Sequence, residues 1–333
     1  MLEMNMTGQQ KKAPSIWAIT LGFNNAGDTL ECLNSILASE VENLRVLLVD
    51  NFSKDDTVKR VMENFPSVGV LQLKENTGFA RGFNAGMAYA YSQDADYVFM
   101  INNDTIVDPQ LLARLTAEGE HDSRAAVLVP KIFYYDDPKT VWSAGSRYRP
   151  FPPAIVIQKG QGPDDGSFDK VRNLDFATTC ALMFPRWSLE KLGLLDINFF
   201  FFSEDYDLSL RIRESGDFIR FVPSALMWHK VSKSTKVGSR NDFFWFIYGK
   251  SEMIFCRKHR NHRWMTGWAH RLYIILRFLM EGKHYGLVPF LKGMRAGSRE
   301  PLKPIPAVEG EGIDQGDLLR QASVWPSSTV ITT

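Results

Sequence analysis

Tyr97-Val98-Phe99-Met100-Ile101 runs without a break into Asn102-Asn103-Asp104. Five apolar residues followed at once by two amides and a carboxylate read as a buried strand ending in a polar loop. Three upstream stretches repeat the pattern. Ile16 to Leu21 ends in Asn24-Asn25-Ala26-Gly27-Asp28, Arg45 to Val49 ends in Asp50, and Val68 to Leu73 is followed by Asn76. Helical patterns lie between them: Leu30, Leu33, Ile36 and Leu37, with Asp28 as the expected N-cap; a second helix reaching Phe65; and a third, rich in Ala and Gly, over Gly78 to Ser92. Strands alternating with helices predict an α/β fold with a mostly parallel central sheet and flanking helices. Ligands of such sheets lie beyond the carboxyl ends of the strands. Turn and cap chemistry explains Asn24, Asp50, Asn76 or Asp104 singly. Four polar strand ends on one rim point to a ligand site.

Composition narrows the classes. The 333 residues carry 39 Lys+Arg against 38 Asp+Glu, so bulk charge gives no sign of a nucleic-acid partner. Cys32, Cys180 and Cys256 are scattered and odd in number, which excludes a disulfide framework and a cysteine zinc cluster and suits a reducing, cytoplasmic setting. Residues 1–14 are polar and read as a flexible N-terminus without a secretory leader. The apolar run Leu272 to Met280, broken by Arg277, falls well short of the roughly 20 residues a membrane span needs.

Beyond the first strands the pattern loosens. Pro130 to Asp175 reads as a loop or hairpin excursion, Phe176 to Phe184 as a buried segment, and Ser188 to Leu192 as a helix. Phe199-Phe200-Phe201-Phe202 then meets Ser203-Glu204-Asp205-Tyr206-Asp207 at the start of another helix. From Lys250 to Lys303 there are twelve Lys/Arg against three Asp/Glu, interleaved with aromatics. Such a segment suits an anionic membrane surface, and equally a solvated cationic face or a contact between copies. From 300 to 333 the chain is aperiodic and reads as disordered.

The usual nucleotide and hydrolase signatures are missing. There is no G-x-G-x-x-G, no P-loop, no G-x-S-x-G and no H-E-x-x-H. Carboxylates remain. Asp104 at a strand end suits Mg²⁺ or Mn²⁺ held together with phosphate oxygens, although a plain turn explains it as well. Glu204-Asp205 behind four phenylalanines suits general base work, since apolar surroundings raise a carboxyl pKa; a helix N-cap is the plainer account. His229, in Met227-Trp228-His229-Lys230, can complete a Mn²⁺ site, though lone histidines are more often structural. Gly78, Gly82 and Gly86 line one helix face and suit close packing.

In this order the pieces resemble the family 2 glycosyltransferases of the GT-A fold, and more narrowly their bacterial rhamnosyltransferase-like branch. The resemblance rests on Val49-Asp50-Asn51, Glu75-Asn76-Thr77-Gly78-Phe79-Ala80-Arg81-Gly82-Phe83-Asn84-Ala85-Gly86, Asn102-Asn103-Asp104, Phe199 to Arg211, and His229 after Val222-Pro223. It spans roughly residues 15 to 260. It implies a GT-A domain over 15–240, with a nucleotide-sugar half at 15–105 and an acceptor half at 106–240. A basic helical extension follows over 241–299. It implies that Asp50 bonds the nucleotide base, that Asn24, Asn76, Gly78, Asn102 and Asn103 border the nucleotide-sugar, and that Asp104 and His229 hold Mg²⁺ or Mn²⁺ at the diphosphate. Asp205 is then the base and Glu204 an acceptor contact. The implied reaction is inverting transfer, best as L-rhamnose from a dTDP donor, onto a glycan or polyprenol-linked acceptor at the inner face of the plasma membrane.

Departures mark this chain. Thr178-Thr179-Cys180 stands where the family often has Thr-Gly, and Phe23 where a tyrosine is common. Asp104 is the only acid of its motif, which predicts modest metal affinity. A UDP-dependent galactofuranosyl- or hexosyltransferase is the nearest alternative. A sugar-phosphate nucleotidyltransferase would need Lys or Arg in a glycine-rich first loop, and Leu21 to Asp28 has neither. A non-catalytic carbohydrate- or nucleotide-binding scaffold would have lost Asp205 or Asp104, and both are present.

Overall fold

β1 (Ile16–Gly22), β2 (Leu44–Asp50), β3 (Gly69–Gln72) and β4 (Tyr97–Asn102) form the parallel centre of the main sheet, in the order β3-β2-β1-β4. Successive side chains leave a strand on opposite faces. Trp17, Ile19, Leu47, Val49, Val98 and Met100 join the core under α3 (Phe79–Ser92). Ile16, Ala18, Val46, Leu48, Phe99 and Ile101 join the core under α1 (Ala26–Leu37) and α2 (Thr57–Asn64). Burial on both faces is why these strands read as unbroken apolar runs. The computed structural model describes residues 12–148, 156–157, 160–231, 241–261, 284–308 and 323–325, with a few positions between 272 and 282.

Two of the three periodic glycines serve packing, as their spacing suggested. A Cβ on Gly82 would meet the Leu21 side chain, and one on Gly86 would lie 2.6 Å from Ile19 Cγ2 and 2.7 Å from Val49 Cγ2. α3 therefore lies tight on the sheet. The N-cap of α1 differs from expectation: the helix begins at Ala26 behind a left-handed Asn25, and Asp28 lies in its first turn. There its carboxylate accepts from Asn25 Nδ2 and faces the positive helix end.

The C-terminal half adds β5 (Thr105–Val107), α4 (Leu111–His121), β6 (Ala125–Tyr134), β7 (Thr140–Ser143), β8 (Arg147–Tyr148), β9 (Val156–Ile157), β10 (Gly162–Pro163), β11 (Arg172–Leu174), β12 (Ala181–Pro185), α5 (Arg186–Leu192), α6 (Glu204–Glu214) and β13 (Phe218–His229). Antiparallel β12 sits between β4 and β6 and joins the parallel centre to the parallel β6–β13 ladder. The expected irregular excursion therefore begins later than Pro130, which lies inside β6. Proline cannot donate to a ladder, and here the β6–β13 register shifts between Val222 and Leu226, opposite Pro130-Lys131. Lys131 is buried and held by Asp164 at 3.0 Å and Asp169 at 2.6 Å, which ties the excursion to the sheet.

α7 (Asp242–Lys258) and α8 (His284–Arg299) pack on each other, with Gly249 against the Phe290 backbone and Gly293 against the Phe246 carbonyl. Part of the 300–333 segment departs from the disorder expected of it. Leu194 N–H donates to Pro306 O at 2.9 Å, Lys303 N–H donates to Asn198 Oδ1 at 2.8 Å, and Val308 is buried in the α3-side core. β14 (Ser323–Trp325) pairs antiparallel with β3. A docked strand and two backbone bonds hold a sequence whose composition alone carries no periodicity. Residues 1–11, 309–322 and 326–333, and most of 262–283, lie outside the described residues.

Candidate active site

The loops after β1, β2 and β4 meet at one rim, and the first two carry left-handed residues that are not glycine: Asn24, Asn25 and Phe52. Non-glycine residues in that region cost about 1–2 kcal/mol each and persist where surrounding bonds enforce them. Those bonds are present. Asn24 N–H donates to Ser53 Oγ and Lys54 N–H to Asn24 Oδ1, both at 2.8 Å. Ser53 N–H donates to both Asp50 oxygens at 3.3 and 3.2 Å. Asp50 is buried, and its carboxylate anchors the 51–53 loop.

Asn51 organises the next loop. Its Nδ2 donates to Asn76 Oδ1 and to the Gly78 carbonyl, each at 3.1 Å, while its Oδ1 accepts from Thr77 N–H at 2.9 Å. Asn76 Oδ1 also accepts from Gly78 N–H at 3.0 Å. Asn76 and Asn24 thus hold the rim loops in shape through their side-chain oxygens. Gly78 has φ +82° and ψ −175°, backbone that only glycine adopts freely. A Cβ there would lie 2.5 Å from the Phe200 carbonyl, and that carbonyl accepts from Phe79 N–H at 2.7 Å. Gly78→Ala is expected to cost about 3 kcal/mol or more, combining strain and clash. A denaturant midpoint unchanged from wild type would contradict this.

Asp104 and His229 are 125 residues apart, and a three-residue strand brings them together. β5 pairs antiparallel with β13, placing Thr105 opposite His229. Lys230 N–H donates to Asp104 O at 2.9 Å, and His229 Nε2 lies 3.1 Å from Asp104 Oδ1. Burial opposes charge on the ring, but the neighbouring Cys180 and Asp104 raise the His229 pKa to about 10. Its Nδ1 is buried without a hydrogen-bond partner. Without a cation the ring nitrogen shares a proton with Asp104; a bound Mn²⁺ or Mg²⁺ would displace that proton, and one carboxylate oxygen with one neutral imidazole nitrogen fits such an ion, leaving positions for phosphate and water. Among the described residues no group of three His, Cys, Asp or Glu side chains could hold a metal, so two protein donors are what this rim offers. Asn103 Nδ2 donates to Thr29 Oγ1 at 2.8 Å and the Asn102 carbonyl accepts from Thr105 Oγ1 at 2.7 Å; both shape the turn that presents Asp104. Lys230 Nζ bonds Asp28 and Glu31, each at 2.7 Å, and fastens the end of β13 to α1.

The acid pair opens α6. Phe202 and Ser203 are both left-handed, at φ 70° and 68°, so the chain turns sharply just before Glu204-Asp205. Ser203 occupies the N-cap position, so neither Asp205 nor Asp207 is a cap. Glu204 is buried. Its Oε1 accepts from Thr179 Oγ1 at 3.2 Å, and its Oε2 has no partner. Burial, then the adjacent Asp205 charge, pushes Glu204 up to about 8. Asp205 is only partly buried by its neighbours, and its Oδ1 accepts from Tyr206 N–H at 2.9 Å. Desolvation raises it to about 7, while the helix-start amides of Tyr206 and Asp205 itself pull it down. Burial raises both carboxyls, and Glu204, the more enclosed of the two and next to the Asp205 charge, is pushed further, so Asp205 is the more readily ionised member of the pair. Asn51, Thr179 and Lys230 were not picked out as site residues from the sequence. Asn51 carried a signal as part of Val49-Asp50-Asn51, Thr179 as part of the Thr178-Thr179-Cys180 departure, and Lys230 only through its adjacency to His229.

The model of the family described as "Glycosyl transferase family 2" matches residues 18–193. An N-acetylglucosaminyl-diphospho-decaprenol L-rhamnosyltransferase of Mycobacterium tuberculosis is 25% identical over 227 residues, 61% of this chain and 72% of that one. The dTDP-rhamnosyl transferase RfbF of Shigella flexneri is 21% identical over 225 residues, 67% of this chain and 72% of that one. Among solved structures, GalNAc-T7 with UDP, GalNAc and Mn²⁺ superposes with a TM-score of 0.53 at 14% identity, over 83% of this chain and 58% of its own length. The mannosyltransferase PcManGT of Pyrobaculum calidifontis, in complex with GDP-Man and Mn²⁺, superposes with a TM-score of 0.52 at 17% identity, over 88% and 77%. These two likenesses are of fold, and the fold is the GT-A type that the sequence implied. With the family model covering more than half of its residues, the chain belongs to the family 2 glycosyltransferases.

Proposed function

We propose that the protein is an inverting, metal-dependent glycosyltransferase that moves L-rhamnose from dTDP-rhamnose onto a hydroxyl of a lipid-linked or polysaccharide acceptor. The observation that carries it is two separately built devices joined through one strand start: Asp104 beside His229, and Glu204, held by Thr179, beside Asp205, with Cys180 O next to Thr179 accepting from Asn102 N–H at 2.9 Å. The relatives named above for rhamnosyl transfer support the choice of sugar. Asp50, Asn24, Asn76, Gly78, Asn102 and Asn103 frame the donor. Asp104 and His229 would hold Mn²⁺ or Mg²⁺, which would supply Lewis-acid stabilisation of the negative charge on the diphosphate. Asp205 takes the proton of the acceptor hydroxyl as that oxygen attacks the anomeric carbon from the face opposite the diphosphate. Glu204, in its neutral form, has an O–H to give to an acceptor or sugar oxygen.

The setting we favour is the inner face of the bacterial membrane. No helix among the described residues is long and apolar enough to cross a bilayer. Tyr285, Val288, Leu291, Lys292 and Arg295 are exposed on α8, an apolar stripe edged with positive charge that suits anionic lipid.

The test is release of dTDP from dTDP-rhamnose with a synthetic N-acetylglucosaminyl-diphospho-polyprenol, against UDP-galactofuranose and UDP-glucose, across pH. Asp205 acts as its carboxylate and its pKa is raised toward 7. The rate is therefore expected to rise as pH increases through about 7, then level, because the proton must leave before the base can act. A rate already flat from pH 5 upward contradicts the base assignment. Turnover of a UDP-sugar alone contradicts the donor.

A further inference from the structure

The helix α7 lies in the segment expected to be a basic extension, yet one of its faces reads the acid pair's flanks. Phe244, Tyr248, Ser251, Phe255 and His259 recur at helical spacing and form one stripe. Phe244 and Tyr248 meet Phe202 edge-on, with ring centroids 5.0 and 5.4 Å apart. Ser251 Oγ donates to the Phe201 carbonyl at 2.7 Å. Phe255 lies 6.0 Å from Tyr206. At the far end, His259 Nε2 bonds Asp207 Oδ1 at 2.9 Å. Asp207 is fully buried, and its Oδ2 accepts from Arg211 Nε at 2.8 Å. Arg211 in turn donates to the Leu192 and Leu194 carbonyls at 2.8 and 3.0 Å, which fixes the pair to the α5 loop. The contacts fall on residues 201, 202, 206 and 207, bracketing Glu204-Asp205.

We propose that the α7 stripe positions the catalytic base: Ser251 and His259 pin the chain before and after the acid pair and hold Phe202-Ser203 in the left-handed turn that presents Asp205. Ser251 and His259 are positioning residues and touch no substrate. The bond at Phe201 fixes where the turn begins. The Asp207 bond fixes the rotation of α6 about its axis, because a carboxylate buried between imidazole and guanidinium has no other place to go. Release at either end lets the strained pair relax toward ordinary backbone, and Asp205 then swings from its working orientation. This account rests on the reading of Asp205 as the base.

The experiment uses the full chain with Ser251→Ala, His259→Ala and His259→Gln, the last keeping a side-chain donor for Asp207. Three readouts are taken: kcat and donor KM for rhamnosyl transfer, dTDP affinity, and amide exchange of the peptide spanning 199–207. Ser251→Ala and His259→Ala are expected to lower kcat about tenfold, a modest displacement of the base. Donor KM and dTDP affinity stay at wild-type values, exchange over 201–207 rises by about tenfold, and His259→Gln recovers most of the rate. Ser251→Ala deletes one hydroxyl, so the test stands even where His259→Ala fails to fold. Unchanged exchange in Ser251→Ala overturns the proposal. So does a kcat loss matched by loss of dTDP affinity, which marks general unfolding. A wild type inert toward dTDP-rhamnose defeats the functional reading instead, and the exchange measurement still decides whether α7 holds the turn.

Discussion

Asp205→Asn is expected to lower kcat by about 10³-fold, within the range that general bases contribute. Nucleotide affinity is expected to stay within about twofold, because the loss concerns the transition state alone. The amide matches the carboxylate in shape and keeps the bond from Tyr206 N–H, so α6 starts as before. What disappears is the lone pair that accepts the acceptor's proton. Glu204 offers no replacement. It is buried against Thr179, and burial with the adjacent Asp205 charge pushes its pKa up to about 8, which disfavours the carboxylate a base needs. Removing the Asp205 charge also lowers one cause of that upward push, so the Glu204 pKa falls in the variant. Steady-state transfer rates over pH 5 to 9 check the prediction, and a loss under tenfold contradicts it.

Asp104→Ala carries the second large effect. Metal binding in the presence of dTDP is expected to weaken by about 100-fold, since even outer-shell partners of a metal cost 10- to 100-fold when lost. The site has little in reserve. Asp104 is the only carboxylate in the Asn102-Asn103-Asp104 turn, and His229 Nε2 lies 3.1 Å from its Oδ1 across the β5–β13 ladder. The free-Mn²⁺ paramagnetic signal, titrated with dTDP, reads the change directly. Wild type should deplete the signal and Asp104→Ala should leave it. Equal depletion in both would place the cation elsewhere.

The parallel centre was legible because both of its faces are buried, so β1, β2 and β4 show as unbroken apolar runs with polar ends. Asp104 stood out for the same reason, directly behind β4, whereas the acid pair stood out behind four phenylalanines that form a bend and not a strand. The link between Asp104 and His229 came from the family resemblance alone and not from any local pattern. It depends on β5, three residues long, and on its register with β13, which no local periodicity encodes. β6 hid behind Pro130, a residue that argues against a strand unless a bulge lies opposite, as one does here. The rim amides lie together at the strand ends, where the sequence put them, but Asn76 and Asn24 turn their oxygens onto loop amides, a direction that residue type does not reveal. α7 was read from its charge, and charge describes a helix's outer face. The stripe from Phe244 to His259 was present in the sequence, but nothing local said that it faces the turn before Asp205.

The account stands most directly on one binding measurement: calorimetric titration of dTDP and of UDP into the wild-type chain, each with and without Mn²⁺. dTDP is expected to bind at least tenfold more tightly with Mn²⁺ than without, because Asp104 and His229 would hold the ion with positions left for phosphate oxygens, and more tightly than UDP. No binding of either nucleotide under any condition would contradict the donor site itself, and with it the assignment of the sheet rim as the seat of transfer.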